Sequence, residues 1–340
     1  MIFLSVHGIS LQISSKNSAL LDSIKEYYQI FLSDNLEWTP DIIIDLEMYS
    51  YFEKKQEVLV PSPTSARVGD NVWIEKEKRE YFFVDKEIST KITWNEAGSM
   101  CIRAQMKPLP VRHWVNIALQ WTTRISKYYS RFFIKTCVHD PLFLLLEKKF
   151  GIILLHATSV TDGEKTFVFT GLGGSGKSTT AAMFSKELSY TILSDNYALI
   201  KWNTLYPFPE LPRITKETEK LLGIKLDKKA DGIKSYLEND TKSIRETYPI
   251  SAIYICSYAQ TFEKRHLNDV NLSFEQLQSI NHYTQEFPEY RNLALLTILW
   301  EYTTGKLRAR ELDTICQVNR IYSLQNDKDI LSHIADLTTF

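Results

Sequence analysis

Between an apolar run from Thr166 to Thr170 and a helix-competent run from Thr179 to Leu188 stands Gly171-Leu172-Gly173-Gly174-Ser175-Gly176-Lys177-Ser178. These residues satisfy the pattern Gly-x-x-x-x-Gly-Lys-Ser, whose fixed positions coincide by chance in roughly one chain in a hundred of this length. A strand, a glycine-rich loop and a helix in immediate succession call for an α/β fold, because the loop needs a strand to fix its entry and a helix N-terminus to complete it. A plain glycine-rich turn is the competing reading, and the flanking strand and helix weigh against it.

The chemistry of such a loop is specific. Its glycines let successive backbone N–H groups turn inward at φ values that other residues avoid, and the helix adds the positive end of its dipole. A loop of this kind wraps a phosphate chain. The residues expected to bind a nucleotide are Gly171, Gly173, Gly174, Ser175, Gly176, Lys177, Ser178 and Thr179. Lys177 is placed to reach the β- and γ-phosphates, and the Ser178 hydroxyl to ligate magnesium. The expected ligands are therefore ATP and Mg2+.

Downstream of the helix, Tyr190-Thr191-Ile192-Leu193-Ser194-Asp195-Asn196 reads as an apolar strand ending in an acid. Strand, helix and strand at this spacing predict a parallel pair with a right-handed crossover, whose carboxyl ends face one crevice. Asp195 then stands beside the phosphates, either as a second metal ligand or as the group that takes a proton from an attacking hydroxyl. An ordinary turn residue is the alternative, which Asn196 favours. Upstream, Gly151 to Val160 reads as a buried strand that turns through Asp162-Gly163 into the next, a tight hairpin. It carries His156, which on its own reads as a core histidine, the commoner fate of a lone His, with a functional role as the alternative.

Taken together, Leu155-His156-Ala157, the hairpin, the loop Gly171 to Ser178, the helix and Leu193-Ser194-Asp195-Asn196 resemble the kinase core of HPr kinase/phosphorylase and its relatives. The resemblance covers residues 140–200 well. It is more diffuse through Pro207-Phe208-Pro209 to Arg213 and through a helical C-terminal part ending at Val318 to Leu324. It implies that His156 matches the active-site histidine and Asp195 the catalytic base; Lys177, read from the loop itself, is the third expected catalytic residue. The family has a second acid after the first, whereas this chain has Asn196, whose amide cannot serve as a base. The arginine- and glycine-containing second signature of true HPr kinases is missing, so HPr itself is not the expected substrate. The closer resemblance is to the HPr-kinase-like branch with an extra N-terminal domain, some members of which phosphorylate a serine on ribosomally made peptides such as lasso-peptide precursors. HPr kinases assemble as oligomers, which leaves a homo-oligomer open here.

Composition narrows the partners. The chain has 340 residues, with 40 Lys and Arg against 41 Asp and Glu. A net charge of -1 supplies no general basic field, so nucleic acid and acidic membrane surfaces are not expected partners. The cysteines Cys101, Cys137, Cys256 and Cys316 are far apart without metal-ligand spacing and read as reduced thiols. Residues Met1 to Gly8 lack a basic leader and read as a strand, and no apolar run approaches bilayer length. A cytoplasmic location is the expectation.

The expected organisation is a mixed α/β N-terminal domain over residues 1–110, connecting helices over 111–150 and a kinase domain of the HPr kinase type over 151–340. In the first, strands are expected over Ile2 to Ile13, Ile42 to Leu46, Val72 to Ile74, Tyr81 to Val84 and Ile88 to Trp94. Leu20, Leu21, Ile24, Tyr28 and Phe31 suggest one covering helix. The stripe Trp114, Ile117, Trp121, Ile125, Tyr128 and Phe132 predicts a joining helix, and Asp140-Pro141 the start of another that Gly151 ends. Past the core, Thr215 to Leu222 predicts a short helix. The Pro207 to Arg213 loop with Lys225 to Asp240 is a candidate substrate cover, or a plain surface loop. Arg213 is a candidate for steadying the transferring phosphoryl, or a structural ion-pair residue. Further on come a strand from Ile250 to Ser257, a helix capped by a Ser273/Gln276 box, and helices from Arg291 to Tyr302 and Asp327 to Leu337.

The function these readings imply is an ATP- and Mg-dependent kinase acting on a serine hydroxyl of a peptide or protein. A small-molecule hydroxyl kinase is the enzymatic alternative, and a nucleotide-gated binding module with weak ATPase activity the non-enzymatic one.

Overall fold

The structure, a computed structural model, describes residues 1–34, 39–48, 59, 61–69, 71–75, 77–84, 88–106, 134–209, 212–226, 234–236, 244–259, 261–283, 304–326 and 330–339. The helices expected from Trp114 to Phe132 and from Arg291 to Tyr302, and most of Lys225 to Asp240, lie outside them. The chain is mixed α/β. Its described residues divide into two compact units, the second beginning at Lys149 and taking in the chain from Gly305 onward.

The first unit is one sheet of nine strands: β1 (Ile2–Val6), β2 (Ile9–Ser15), β3 (Leu32–Ser33), β4 (Ile42–Met48), β5 (Ala66–Gly69), β6 (Val72–Glu75), β7 (Glu80–Val84), β8 (Ile88–Trp94) and β9 (Met100–Met106). They lie in the order β3-β1-β2-β4-β9-β8-β7-β6-β5. The single strand expected over Ile2 to Ile13 breaks at His7 and Gly8, whose φ angles of 48° and 87° form the two-residue turn of an antiparallel hairpin. Helix α1 (Ser18–Tyr27) follows, capped by the Asn17 side chain, which accepts from Leu20 N, and it buries Leu20 and Ile24. It is the crossover that sets β4 parallel to β2. Helix α2 (Asp140–Phe150) does not start afresh at Asp140, because a π-helical turn over Ile134–His139 runs straight into it.

In the second unit, β10 (Ile153–Thr161) and β11 (Thr166–Thr170) form the expected hairpin. The Asp162 carboxylate accepts from the backbone N–H groups of Glu164 and Lys165 and so fixes the turn. After β11 and the glycine loop come α3 (Lys177–Leu188), β12 (Thr191–Ser194), β13 (Tyr197–Lys201), β14 (Thr204–Tyr206), β15 (Arg213–Thr215), α4 (Lys216–Leu221), β16 (Lys234–Tyr236) and β17 (Tyr248–Pro249). Then follow β18 (Ala252–Tyr258), β19 (Glu263–His266), α5 (Val270–Tyr283), α6 (Thr304–Val318), β20 (Ile321–Asn326) and a 3-10 helix over Ile330–Thr338. The sheet order is β17-β14-β13-β10-β11-β18-β20-β19, with β12 also on β10.

Three local expectations are corrected. The C-terminal part is mixed rather than helical, since Ile321–Asn326 is a strand parallel to β18 and the segment from Asp327 ends in a 3-10 helix. Helix α5 begins three residues before Ser273. Its cap is Asp269, which accepts from the N–H groups of Asn271 and Leu272, while the Ser273 hydroxyl donates back to the Asp269 carbonyl. The run Thr191 to Ser194 does not pair with β11. It pairs antiparallel with β10, which the hairpin has already placed on that edge. β11 and β12 therefore point the same way with β10 between them.

The sheet is covered on both faces, which is why the five residues of β11 are all buried. Phe167 and Phe169 pack with Ala181, Met183 and Phe184 of α3, and with Ile334 and Leu337. Val168 packs on the other side with Leu277 and Ile280 of α5 and with Leu312 and Ile315 of α6. Burying an aromatic side chain of this kind contributes on the order of 2–3 kcal/mol, so the strand that leads into the glycine loop is a rigid support. The four cysteines are free, and Cys137, Cys256 and Cys316 are buried.

Candidate functional site

The loop from Gly171 to Gly176 leaves β11 and is held at its entry by a very close approach. Gly171 has φ +152°, and a Cβ there would stand 2.5 Å from the Cys256 carbonyl oxygen of β18 and 2.6 Å from Ser175 Oγ. Only glycine lets the loop pass so near the neighbouring strand. Gly174 and Gly176 also take positive φ, +80° and +93°, the second as the N-cap of α3. Ser175 N–H closes a turn onto Leu172 O at 3.2 Å, and Thr180 anchors the first helical turn by donating from N and Oγ1 to Gly176 O. Lys177 is 6% exposed. Its ammonium donates to the carbonyls of Gly171 at 2.8 Å and Leu172 at 3.1 Å. The cation thus lies against the inside of the loop.

Asp195 comes to the same place by a different route from the one expected. The run from Thr191 to Lys201 lies antiparallel along β10 and breaks between β12 and β13 at Asp195-Asn196, with Asn196 at φ +78°. The break turns the Asp195 carboxylate toward α3. Oδ1 accepts from Ser178 Oγ at 2.9 Å and from Thr158 Oγ1 at 2.8 Å, and Oδ2 accepts from the backbone N–H of Arg213 at 3.2 Å. At 1% exposure this is a buried carboxylate held by three donors. Asn196 is what makes it so, because asparagine tolerates the left-handed backbone that the break requires.

His156 is buried on β10, two residues before Thr158, and so shares a sheet face with the hydroxyl that binds Asp195. Its carbonyl accepts from Thr170 Oγ1 at 2.9 Å, which ties it to the last residue before the loop. Thr179, the next residue of α3, exchanges a hydroxyl contact of 2.9 Å with Thr218 of α4. Arg213 reaches the site through its backbone. Phe208 is 1% exposed, bridges to Ser194 and meets the Tyr197 ring edge-on, so this part of the expected cover is anchored in the core. Of the residues expected from the sequence, His156, Lys177, Ser178, Thr179, Asp195 and Arg213 are gathered around the glycine loop.

Sequence reasoning missed Thr158 and Thr218. Thr158 was within reach, since a period of two from His156 points at it. Thr218 follows only from the contact between α3 and α4, which is not local.

On the β18 side of the loop lies a cavity of about 560 Å³, lined by Gly171 to Ser175, the end of β18 from Ile255 to Tyr258, and Leu272, Glu275, Gln276, Ser279 and Ile280 of α5. It does not include Asp195, which is on the β10 side.

Among the described residues no three His, Cys, Asp or Glu side chains cluster as a metal site. The donor set at Ser178 and Asp195 is one hydroxyl and one carboxylate already in mutual contact. Two oxygen donors of this kind fit Mg2+, which binds through one or two protein ligands and takes the rest from phosphate and water. No helix among the described residues is long and apolar enough to cross a membrane. No family model matches the chain, and no curated protein matches it.

Proposed function

We propose that this chain is a P-loop kinase of the HPr-kinase-like type that transfers the γ-phosphate of ATP, with magnesium, to a serine hydroxyl of a peptide or protein. The observation that carries the reading is the contact between Ser178 of the first α3 turn and Asp195, beside a loop whose close entry at Gly171 only glycine allows. A structural turn residue has no need to be buried under three donors next to such a loop. Sheet order supports the reading as well, because β11 and β12 end at the same edge.

In this reading the loop amides and the α3 N-terminus hold the phosphate chain, and Lys177 turns from the two loop carbonyls to the β- and γ-phosphates. Ser178 and Asp195 would hold magnesium, which when bound neutralises the charge that grows on the phosphate oxygens. The acceptor oxygen forms a bond to the γ-phosphorus as the bond to the β–γ bridging oxygen breaks and ADP leaves. The serine proton passes to Asp195. Of the carboxylate's roughly four lone-pair sites, Thr158, Ser178 and Arg213 use three in the structure; Ser178 would turn from Asp195 to magnesium, so that its site serves the metal and the fourth takes that proton. At 1% exposure, Asp195 meets an acceptor when the Arg213 strand draws back from it. Thr158 keeps the carboxylate oriented from β10, and His156 stands on the same sheet face two residues before it.

The test is transfer from γ-labelled ATP with magnesium to serine-bearing peptides, with Asp195→Asn alongside. The reading expects label on the peptide with the unchanged protein and none with the variant. Transfer that survives Asp195→Asn removes Asp195 as the base. ATP binding without label on any peptide, protein or small alcohol favours the nucleotide-gated module.

A further inference from the structure

Asp195 and the 560 Å³ cavity stand on opposite sides of the glycine loop. β10, which carries the Asp195 partner Thr158, neighbours β11 on one side, and β18, which ends in the cavity wall, neighbours it on the other. A phosphate chain whose terminal phosphate faces Asp195 therefore directs the remainder of its nucleotide toward β18 and α5. The cavity's volume is in the range of small-molecule sites, and the loop itself forms one of its walls.

The lining has two kinds of surface. Ile255 and Ile280 form a buried apolar floor, while Tyr258 and Leu272 are 63% and 42% exposed at the rim, an unusual outlay of apolar surface beside a polar loop. Glu275 and Ser279 face the same space from α5 and are exposed, with hydrogen-bonding capacity at the cavity edge. An aromatic ring at the rim, an apolar floor and a carboxylate acceptor match a flat heterocycle that bears an exocyclic amino group. We propose that this cavity is the nucleobase subsite, that it takes a purine stacked on Tyr258, and that Glu275 accepts from the base's amino group. The assignment rests on the phosphate-loop reading and adds to it where the base lies and what holds it.

The test compares two probes on the full chain by calorimetric titration, Mg·ATP and inorganic tripolyphosphate with magnesium. Tyr258 is mostly exposed, so its replacement leaves the core intact. Tyr258→Ala is expected to weaken ATP about ten-fold or more, since stacking on an aromatic ring is worth that much per base. Tripolyphosphate affinity should not change, and Tyr258→Phe should restore ATP affinity. Equal ATP affinity in the unchanged and Tyr258→Ala proteins overturns the subsite, as does an equal loss for both probes. Ser279→Trp, which fills the cavity from α5, should likewise reduce ATP affinity and spare tripolyphosphate; unchanged ATP affinity in that variant also overturns the assignment. If the unchanged protein binds tripolyphosphate and the four common nucleoside triphosphates equally well, the loop reading stands and the subsite falls. If it binds none of them, both fall.

Discussion

The Ser178 hydroxyl donates to Asp195 Oδ1 across 2.9 Å, and so joins the first turn of α3 to the break between β12 and β13. The same oxygen holds Thr158, and its partner oxygen holds the backbone of Arg213. Asp195→Ala leaves these donors without their acceptor inside a buried site, and leaving buried donors unsatisfied costs on the order of 1–3 kcal/mol each. A total loss of about 3 kcal/mol is expected for Asp195→Ala in urea unfolding. Asp195→Asn keeps an oxygen and the shape, and should cost less than half as much while still abolishing transfer. Equal stability of Asp195→Ala and the unchanged chain would show that the contacts carry no weight.

The glycine loop yields a graded series. Gly171→Ala drives a Cβ to 2.5 Å from the Cys256 carbonyl, a contact with backbone that no side-chain rotation relieves. Overpacking of this kind costs about 1–3 kcal/mol, and it displaces the loop from β18. Gly174 has φ +80° but open space around its Cβ position, so Gly174→Ala should cost only the backbone strain, about 1 kcal/mol. At Gly173 neither obstacle is present, and Gly173→Ala should be neutral for folding. The order Gly171, Gly174, Gly173 in denaturation midpoints checks the loop geometry without reference to activity.

A pH dependence follows from the β10–β11 turn. Burial alone would raise the Asp162 carboxyl, but the N–H groups of Lys165 and Glu164 and the Tyr190 hydroxyl outweigh it and hold the group below its ordinary value of 3.8. A carboxyl lowered in the folded state contributes stability above its unfolded value and loses it as pH falls through the folded one. Asp162→Ala should therefore be less stable than the unchanged chain at pH 7, with the gap closing as pH drops below about 4. Unfolding free energies at pH 7, 5 and 3 measure it; a constant gap would place the effect elsewhere than in ionisation.

At the start of α5, Asp269 is the cap and Ser273 is interior. Asp269→Ala should cost about 1 kcal/mol, whereas Gln276→Ala should be close to neutral, the reverse of what a Ser273/Gln276 capping box requires. Thermal unfolding of the two variants distinguishes these.

What could be read from the sequence was local. The hairpin at Asp162-Gly163, the loop from Gly171 to Gly176 and helix α3 follow from turn chemistry and periodicity within a few residues. Strand β9 was equally readable, since Met100, Ile102, Ala104 and Met106 alternate and are buried, yet it went unassigned beside the stronger run at Ile88 to Trp94. What could not be read was pairing. Whether Thr191 to Ser194 joins β11 or β10 depends on which edge the hairpin has already occupied, a long-range fact that periodicity does not carry. Asp195 was expected at the end of a strand lying parallel beside β11; it lies instead in the break between β12 and β13, both antiparallel to β10. The break itself was signalled by Asn196, the residue that had counted toward an ordinary turn.

The central claim is that the loop, Lys177, Ser178 and Asp195 form one site for the triphosphate of ATP. Calorimetric titration of ATP with and without Mg2+ tests it most directly, on the unchanged chain, Lys177→Ala and Asp195→Asn. Saturable binding that Mg2+ strengthens, that Lys177→Ala reduces by at least about ten-fold and that Asp195→Asn retains with a weaker Mg2+ effect is the expected result. Binding that is indifferent to Lys177, or no binding at all, would contradict the account.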